Sequence, residues 1–312
     1  MNTSAARLSG SERQAPLLAE FEPAPGKPRI RPGRLLAYAV LIGTSLLWLL
    51  PLLWAVYTSL RPYDETQRNG YVSVAHSLSF INFTTAWQQA DFPHYFGNSI
   101  IVTIPAVLLT LLLASFVAFV VSRFALRYNV ALLILFTAGN LLPQQVIITP
   151  VYKLFLLVPV PQWVSDSGTL YDSYLGLVLI NVAFQVGFCA FILSNYMKTI
   201  PRELTEAALV DGASVWRQYW QVILPLCRPA LGALGTLEFT FIYNDFFWAT
   251  VLLRSGDKRP ITSAIANLSG QYFTNNNLIA AAALITALPT LIIFFALQRQ
   301  FVAGLTLGAN KG

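Results

Sequence analysis

The sequence predicts an all-α integral membrane protein with six transmembrane helices, and two observations carry this prediction. Hydrophobic residues make up 55% of the 312 residues and charged residues only 11%, against roughly 25% charged residues in soluble domains. Six apolar segments are also each long enough to cross about 30 Å of hydrocarbon, which takes about 20 residues. These segments lie near residues 35–60, 98–122, 130–153, 175–197, 229–253 and 278–299.

Residue types that catalysis or metal binding would require are scarce. The two cysteines, Cys189 and Cys227, are too few for a disulfide framework and lack metal-ligand spacing. The two histidines, His76 and His94, fall in a polar loop without a nearby ligand partner, and we interpret both as surface residues. No histidine lies in an apolar segment, and no serine or cysteine has a plausible base near it in sequence. An intramembrane enzyme is therefore not favoured, and no metal site is expected.

Lysine and arginine residues set the expected orientation in the membrane. Residues 1–34 are polar and rich in Pro, Ser and Arg, which predicts a disordered cytoplasmic tail ahead of a membrane domain at residues 35–312. Most of the 20 lysines and arginines fall on the same side as this tail, and such residues favour the cytoplasm. The exception is a group of three in the last outer loop, Arg254, Lys258 and Arg259. We therefore predict a multi-pass protein of the cell membrane with both termini in the cytoplasm.

Two of the predicted spans carry polar residues at membrane depth. Residues 139–145 place a glycine, a proline and three amide side chains inside the third span, so its backbone is expected to break there. In the fourth span, Asn181 and Gln185 are four residues apart and share one helix face. We favour hydrogen bonding between helices for this pair over a role in lining a pathway.

The fifth predicted span contains two carboxylates, which are rare within apolar membrane segments. Glu238 and Asp245 are seven residues apart, which would place them on nearly the same face of one helix. A carboxylate near the bilayer centre costs about 2.5–3.5 kcal/mol on insertion scales. Such residues usually face the interior of the bundle or a wet cavity, and they are functional candidates by default.

The longest polar interruption in the second half of the chain begins at Pro201. A proline at the first helical position, followed by Glu203 and Glu206, is typical of a helix start. Gly212 is a natural helix stop, because glycine readily takes the left-handed conformation. A second short helix is predicted from Ser214 to Val222. We expect two short helices, joined at a glycine, outside the membrane.

The spacing within this interruption resembles the EAA loop of ABC importer permeases. That pattern has Glu-Ala-Ala, three residues, Gly, nine residues, an aliphatic residue, one more residue and Leu-Pro. The residues that match it, together with the neighbours of the glycine that are usual in sugar importers, are Glu206, Ala207, Ala208, Asp211, Gly212, Ala213, Leu224 and Pro225. Val222 stands where isoleucine is commoner. Residues 201–225 are called the EAA segment below.

The resemblance implies a type I ABC importer permease fold in which the EAA segment is a cytoplasmic coupling helix. In that family the loop docks into a cleft on a dimeric cytoplasmic ATPase. The sequence lacks the Gly-x-x-x-x-Gly-Lys-[Ser/Thr] loop that cradles nucleotide phosphates. No cofactor is therefore expected on this chain, and ATP and Mg are expected in the partner. The chain would be a transport subunit rather than an enzyme.

Two further stretches point to the carbohydrate branch of these permeases. Residues 243–246, Tyr-Asn-Asp-Phe, resemble a Trp-Asn-Asp-Phe signature, and residues 300–312 resemble the C-terminal tail of maltose-type permeases. This likeness implies the smaller of two permeases, working with an extracytoplasmic sugar-binding protein. For Asp245 a pathway role and a structural role at a helix end remain equally open. The residues nominated for the translocation path are Gln185, Glu238, Tyr243, Asn244 and Asp245.

The sequence therefore predicts the membrane-spanning subunit of an ATP-driven, binding-protein-dependent sugar importer. The alternative is a secondary carrier, coupled to protons or ions, that uses Glu238 and Asp245. Such carriers usually show internal repeats, and no convincing repeat is found in this sequence. That alternative also leaves the EAA segment without a role.

Overall fold

A computed structural model describes residues 32–124, 127–141, 143–268 and 274–309. Most of the predicted N-terminal tail, Leu142 in the predicted break and the last three residues of the C-terminal tail lie outside these ranges. The described residues contain helices and turns, with one isolated β-bridge between Pro159 and Thr169. Within these ranges the all-α prediction is confirmed.

The described residues form a succession of helices along the chain. The first seven are α1 Pro32–Leu60, α2 Tyr63–Asn69, α3 Ile81–Gln89, α4 Phe92–Arg123, α5 Asn129–Leu141, α6 Ile148–Leu157 and α7 Tyr174–Met197. The others are α8 Glu203–Val210, α9 Val215–Arg217, α10 Leu224–Leu226, α11 Arg228–Tyr243, α12 Phe247–Leu252, α13 Ile261–Ala264 and α14 Asn276–Ala309. Short 3-10 turns cover Gln144–Ile147, Gly256–Lys258 and Ile265–Leu268, and a π-turn covers Gln218–Ile223.

Four helices are long and apolar enough to cross a membrane as they stand: α1, α4, α7 and α14. Up to two more spans arise if each of two bent helix pairs crosses once, so the described residues contain four to six candidate spans, against six predicted. One pair joins α5 to Gln144–Leu157, with its bend at the predicted break in the third span. The other joins Val215–Leu226 to α11 at an angle of 73°. The last helix, α14, continues through Pro289 without ending.

The chain divides into two compact units, Met1–Leu53 and Trp54–Gly312. In the described part of the first unit, the side chains of α1 are exposed, and Trp48 reaches 80% exposure. An apolar helix with this much exposed surface suits a lipid environment. The boundary expected at residue 34 stays a prediction.

The core of the second unit is a bundle in which α4 packs along α7, and α11 packs against α4 and α14. Small residues on α4 permit this close packing, among them Ala106, Ala114 and Ala118, which are fully buried. On α7, Gly187 meets α5, and a Cβ atom at Gly187 would lie only 2.0 Å from the Phe136 carbonyl oxygen. The α5–α7 contact therefore requires glycine at this position.

At the end of the bundle opposite the EAA segment, two buried amides close the last turn of α1. Asn82 Nδ2 donates to the carbonyls of Ser59 and Arg61, each at 2.8 Å. Asn277 Nδ2, from the start of α14, donates to the carbonyls of Thr58 at 3.0 Å and Arg61 at 2.9 Å. The last carbonyls of a helix lack partners within it. These amides satisfy them and fasten α3 and α14 to that turn.

Candidate functional site

The first helix of the EAA segment ends as the sequence predicted. Glu203 and Glu206 lie in the first turn of α8, where carboxylates stabilise the helix dipole. Gly212 has φ +75°, and the backbone N–H of Ala213 donates to the Ala208 carbonyl at 2.9 Å. This left-handed closure satisfies a carbonyl at the end of α8. The predicted stop at Gly212 is confirmed.

The second helix of the EAA segment is longer than predicted. Its start is capped by Ser214, whose hydroxyl accepts from the Arg217 N–H at 3.3 Å. The helical path then runs from Val215 to Leu226, past the predicted end at Val222 and through Pro225. Its centre is a π-turn, a feature that occurs frequently at functional sites. Leu224 and Pro225 therefore lie inside the last turn rather than after it.

The helix α8 stands away from the bundle, because none of its residues is buried. The matched residues Glu206 and Ala207 are exposed, and Ala208 is half-buried. Near its end, Leu209 and Val210 are 65% and 88% exposed. Adjacent apolar side chains on the surface of a protruding helix are typical of an interaction site.

Aromatic rings hold the second helix of the EAA segment against α4. Phe116 stacks on Tyr219 with ring centroids 4.7 Å apart and on Trp216 at 5.6 Å. Trp220 meets the edge of the Phe116 ring at 6.2 Å. The Tyr219 hydroxyl lies 2.7 Å from Ser115 Oγ, and both residues are buried. Sequence reasoning missed this cluster, since Phe116 and Trp216 are a hundred residues apart.

Arg123, at the last position of α4, contacts the chain just before the EAA segment. Its Nη2 donates to the Met197 carbonyl and its Nη1 to the Ile200 carbonyl, both at 3.1 Å. Both carbonyls lie at the end of α7, directly ahead of Pro201. The available signal was a cation at a span end with no acid beside it in sequence.

The carboxylates of the fifth span do not share a helix face, and this prediction is wrong. The helix α11 ends at Tyr243, and Asp245 lies in the turn before α12. Asp245 Oδ1 accepts from the Trp248 N–H at 3.0 Å, and its Oδ2 accepts from Asn181 Nδ2 at 3.1 Å. It thus caps the start of α12 and ties it to α7. The hydrogen bond between helices predicted for Asn181 is present.

Glu238 lies fully buried inside the bundle. The Cys189 thiol donates to its Oε1 at 3.1 Å, and its Oε2 has no partner among the described residues. Glu238 and Asp245 thus contact different groups. Both carboxylates join α7 to the fifth span.

The other residues nominated for the path differ sharply in exposure. Tyr243 is buried, and its hydroxyl donates to the Thr286 carbonyl of α14 at 3.1 Å. Gln185 is half-buried. Asn244 is exposed, and so is the neighbouring Phe241 on α11. Of the five, only Asn244 presents an exposed side chain beside the helix break.

Polar contacts also hold the loop at residues 254–259, whose basic residues are the exception to the cytoplasmic preference of lysine and arginine. The Asp172 carboxylate accepts from the backbone N–H groups of Arg254 and Ser255, both at 2.9 Å. Lys258 Nζ lies 2.8 Å from Asp166, and its ammonium group holds the pKa of that exposed carboxyl below its ordinary value.

Residues near the start of α4 contact the loop at residues 254–259 through Asp257 and Arg259. Asn98 Nδ2 donates to the carbonyls of Asp257 at 2.6 Å and Arg259 at 3.0 Å. His94 is exposed as predicted, and its Nε2 also lies 2.6 Å from the Asp257 carbonyl oxygen. Among the described residues, no group of three His, Cys, Asp or Glu side chains is arranged to hold a metal ion.

Comparison with known proteins connects this arrangement to one family. Residues 110–306 match the family described as binding-protein-dependent transport system inner membrane component. The melibiose/raffinose/stachyose import permease protein MelC of Bacillus subtilis is 32% identical over 75% of this chain and 82% of its own length. The diacetylchitobiose uptake system permease protein NgcG of Streptomyces coelicolor is 29% identical over 88% of each chain.

Solved structures agree with these relatives at the level of the fold. The chain is similar to one from a bacterial ABC transporter involved in the import of the acidic polysaccharide alginate. The two share 21% sequence identity with a TM-score of 0.71, over 87% of this chain and 98% of the other. The match of the family to residues 110–306 includes the whole EAA segment and most of the membrane bundle. The chain therefore belongs to the family of binding-protein-dependent transport system inner membrane components.

Proposed function

We propose that this chain is one of two permease subunits, the smaller one, in an ATP-driven importer of sugars. The sugar class is supported by the names of its relatives, which include MelC, NgcG and the alpha-glucoside transport system permease protein AglG of Rhizobium meliloti. The single observation that carries the coupling role is the EAA segment. Its first helix stands clear of the bundle and ends in two exposed apolar side chains, Leu209 and Val210.

In this proposal the surface of α8 docks on a cytoplasmic ATPase. The apolar tip at Leu209 and Val210 would enter a cleft, while Glu203 and Glu206 would meet polar groups at its rim. The residues nominated for coupling in the EAA segment form this helix, its glycine stop and the turn of Leu224 and Pro225. ATP and Mg would be bound by that partner, and this chain would bind no cofactor.

The remaining partners follow from the same assignment. A second, homologous permease would complete the bundle, and an extracytoplasmic binding protein would deliver sugar at the opposite end. The basic residues of the N-terminal tail, such as Lys27, Arg29 and Arg31, support a cytoplasmic position for both termini. The EAA segment then lies in the cytoplasm, and the loop at residues 254–259 lies outside.

The translocation path is proposed to pass the break between α11 and α12. Asn244 is exposed there, and polar groups at membrane depth usually face a wet cavity. Its Nδ2 donates to the Thr240 carbonyl at 2.8 Å, which leaves its oxygen to accept from a sugar hydroxyl. Gln185 would contribute a second amide. Glu238, Tyr243 and Asp245 would shape the path by holding α7, α11 and α14 together.

Transport requires that ATP favour one arrangement of the bundle over the other, because a ligand with equal affinity for both states shifts nothing. The ATPase would provide this preference through α8. The secondary-carrier alternative finds less support, since Glu238 and Asp245 have separate partners and lie on different elements. Asp245 uses both carboxylate oxygens to hold α12 and α7 together, and Glu238 accepts from Cys189 through Oε1 alone.

The experiment that tests the assignment is co-purification. The chain is expressed with its genomic neighbours and purified by a tag on this chain alone, as wild type and as Gly212→Asp. Wild type should retain an ATPase subunit and a second permease. Gly212→Asp should lose the ATPase and keep the permease, because a side chain is strained at φ +75° and its charge adjoins α8.

A matched control is available at the opposite end of the bundle. Gly168 also has a left-handed conformation, at φ +67°, and lies in a loop away from the EAA segment. Gly168→Asp should therefore keep both partners. Wild type that is recovered alone and still transports would refute the importer assignment.

A further inference from the structure

The end of α4 contacts the chain on both sides of α8, although α4 ends about eighty residues before that helix. Arg123 contacts the chain just before the segment, and Ser115 and Phe116 contact its second helix. Among the described residues, α8 itself is unburied. The attachments therefore flank the docking helix without covering it.

The two hydrogen bonds of Arg123 fix the orientation of the groups that they join. A guanidinium group is planar, and its donors diverge in a rigid fork. Two of its nitrogens donate to the carbonyls of Met197 and Ile200, each at 3.1 Å. These carbonyls lie at the negative end of the α7 dipole, where a cation is favourable. Arg123 thereby fixes the direction in which the chain leaves α7 toward Pro201.

The second attachment lies inside the π-turn. Tyr219 is 1% exposed, its hydroxyl meets Ser115 Oγ at 2.7 Å, and its ring packs on Phe116 at 4.7 Å and Phe119 at 5.3 Å. The covalent route from this helix to α11 is irregular by comparison, because it runs through the π-turn and then bends by 73°. The contact with α4 is direct.

We propose that Arg123 is a positioning residue that makes α4 move together with the EAA segment when the ATPase moves α8. The inference rests on the proposed coupling function. Motion would then reach the bundle through the chain, into α7 on one side of the segment and α11 on the other, and also through Arg123 and Tyr219 into α4. The helix α4 packs along α7 and α11, so a displacement of α4 changes the core of the bundle directly.

The test compares Arg123→Gln with Arg127→Gln in the complete complex with its ATPase, reconstituted in liposomes. Arg127 is exposed, lies four residues away and serves as the charge-matched control. Each variant also carries Asn244→Cys, and the rate of maleimide labelling is measured with and without ATP. The native Cys189 and Cys227 are fully buried and give a low background.

Arg123→Gln should retain the ATPase and hydrolyse ATP within about twofold of wild type. Its ATP-dependent change in labelling rate should fall by roughly twofold to thirtyfold, the range expected for mutations between coupled sites. Arg127→Gln should behave as wild type. Arg123→Lys should restore part of the response, because an ammonium group can still donate to these carbonyls.

Two results would overturn the inference. One is an Arg123→Gln response equal to that of Arg127→Gln, and the other is loss of the ATPase from Arg123→Gln, which would indicate that Arg123 only maintains the docking surface. Should Arg123→Gln fail to fold or to bind the second permease, Tyr219→Phe decides, with the exposed Tyr128→Phe as control. Removal of the Tyr219 hydroxyl should lower the response by about twofold, and an unchanged response would also refute the inference.

The outcome for the proposed function is separate. If wild type retains no ATPase, the importer assignment itself fails. If wild type retains the ATPase and responds to ATP, the comparison of Arg123→Gln with Arg127→Gln tests only the role of Arg123.

Discussion

The two ends of the bundle are held together by different kinds of contact. At the end that carries Asn82 and Asn277, buried side-chain amides donate to backbone carbonyls of distant elements. At the end that carries the EAA segment, aromatic rings pack on one another around Phe116, and the docking helix α8 has no buried residue. Buried amides bonded to backbone carbonyls join the elements at the first end, whereas ring packing joins them at the EAA end, where Arg123 adds two hydrogen bonds to backbone carbonyls.

This difference matches the role of each end, which is to hold loops in place at one end and to couple to the ATPase at the other. Hydrogen bonds to backbone have narrow geometry, so they hold loops such as residues 254–259 in one arrangement. Aromatic contacts tolerate sliding, since offset-stacked and edge-to-face pairs have similar energies. The rings at the EAA end can therefore shift slightly on one another, while the Arg123 hydrogen bonds to Met197 and Ile200 keep the segment aligned with the end of α4.

The largest expected loss of stability comes from a substitution at the end that carries Asn82 and Asn277. Asn277→Ala removes a buried donor from Thr58, Arg61 and the Thr66 hydroxyl, and only the weaker or shared bonds from Arg61 N–H and Asn82 remain on the two carbonyls. We expect the free energy of unfolding in detergent to fall by about 3 kcal/mol. Thermal unfolding followed by tryptophan fluorescence measures this loss.

The control for this variant is Asn195→Ala, which alters an exposed amide on α7. It should change the free energy of unfolding by less than about 0.5 kcal/mol. Equal losses for the two variants would contradict the view that the Asn277 contacts hold this end.

A smaller effect is expected at the EAA end. Trp216→Ala removes one exposed ring from the cluster. Its centroid lies 5.6 Å from that of Phe116 and 5.7 Å from that of Trp220. An aromatic pair contributes about 0.5–1.5 kcal/mol beyond its area, so the loss in unfolding free energy should be about 1 kcal/mol. The same fluorescence assay applies, and a loss as large as that of Asn277→Ala would erase the distinction between the two ends.

The smallest effect concerns the ion pair between the exposed Asp166 and the half-buried Lys258. The lysine lowers the pKa of Asp166 below its ordinary 3.8, and the aspartate raises the pKa of Lys258 above its ordinary 10.5. The contribution of Asp166 is present above its unfolded pKa and is lost as pH falls through the folded one. That of Lys258 is present below its unfolded pKa and is lost as pH rises through the folded one.

The difference in melting temperature between wild type and Asp166→Asn should therefore be level between these limits. It should shrink below about pH 4 and above about pH 10. Its size should be slight, because exposed pairs contribute little. A difference that grew on acidification would show that Asp166 acts through another group.

Local patterns predicted the spans and the glycine stop, because length, apolar composition and Gly212 act within a few residues. They did not predict the end of α11 at Tyr243, since the following residues, Asn-Asp-Phe-Phe-Trp, contain no glycine or proline. That end depends on Asp245, which bonds to Trp248 and to the distant Asn181. The contacts of Arg123 and Phe116 likewise join residues about eighty to a hundred positions apart, where periodicity carries no information.

The absence of a side chain at Gly187 has a consequence for the third span. Because backbone meets backbone there, α5 and α7 have no compliant layer between them and must turn as one piece. Beyond the break, α6 packs with α12, and Phe155 is buried in that part of the core. The two halves of one crossing thus belong to different neighbours. A rotation of α7 would therefore turn α5 directly, whereas α6 is held by its own contact with α12.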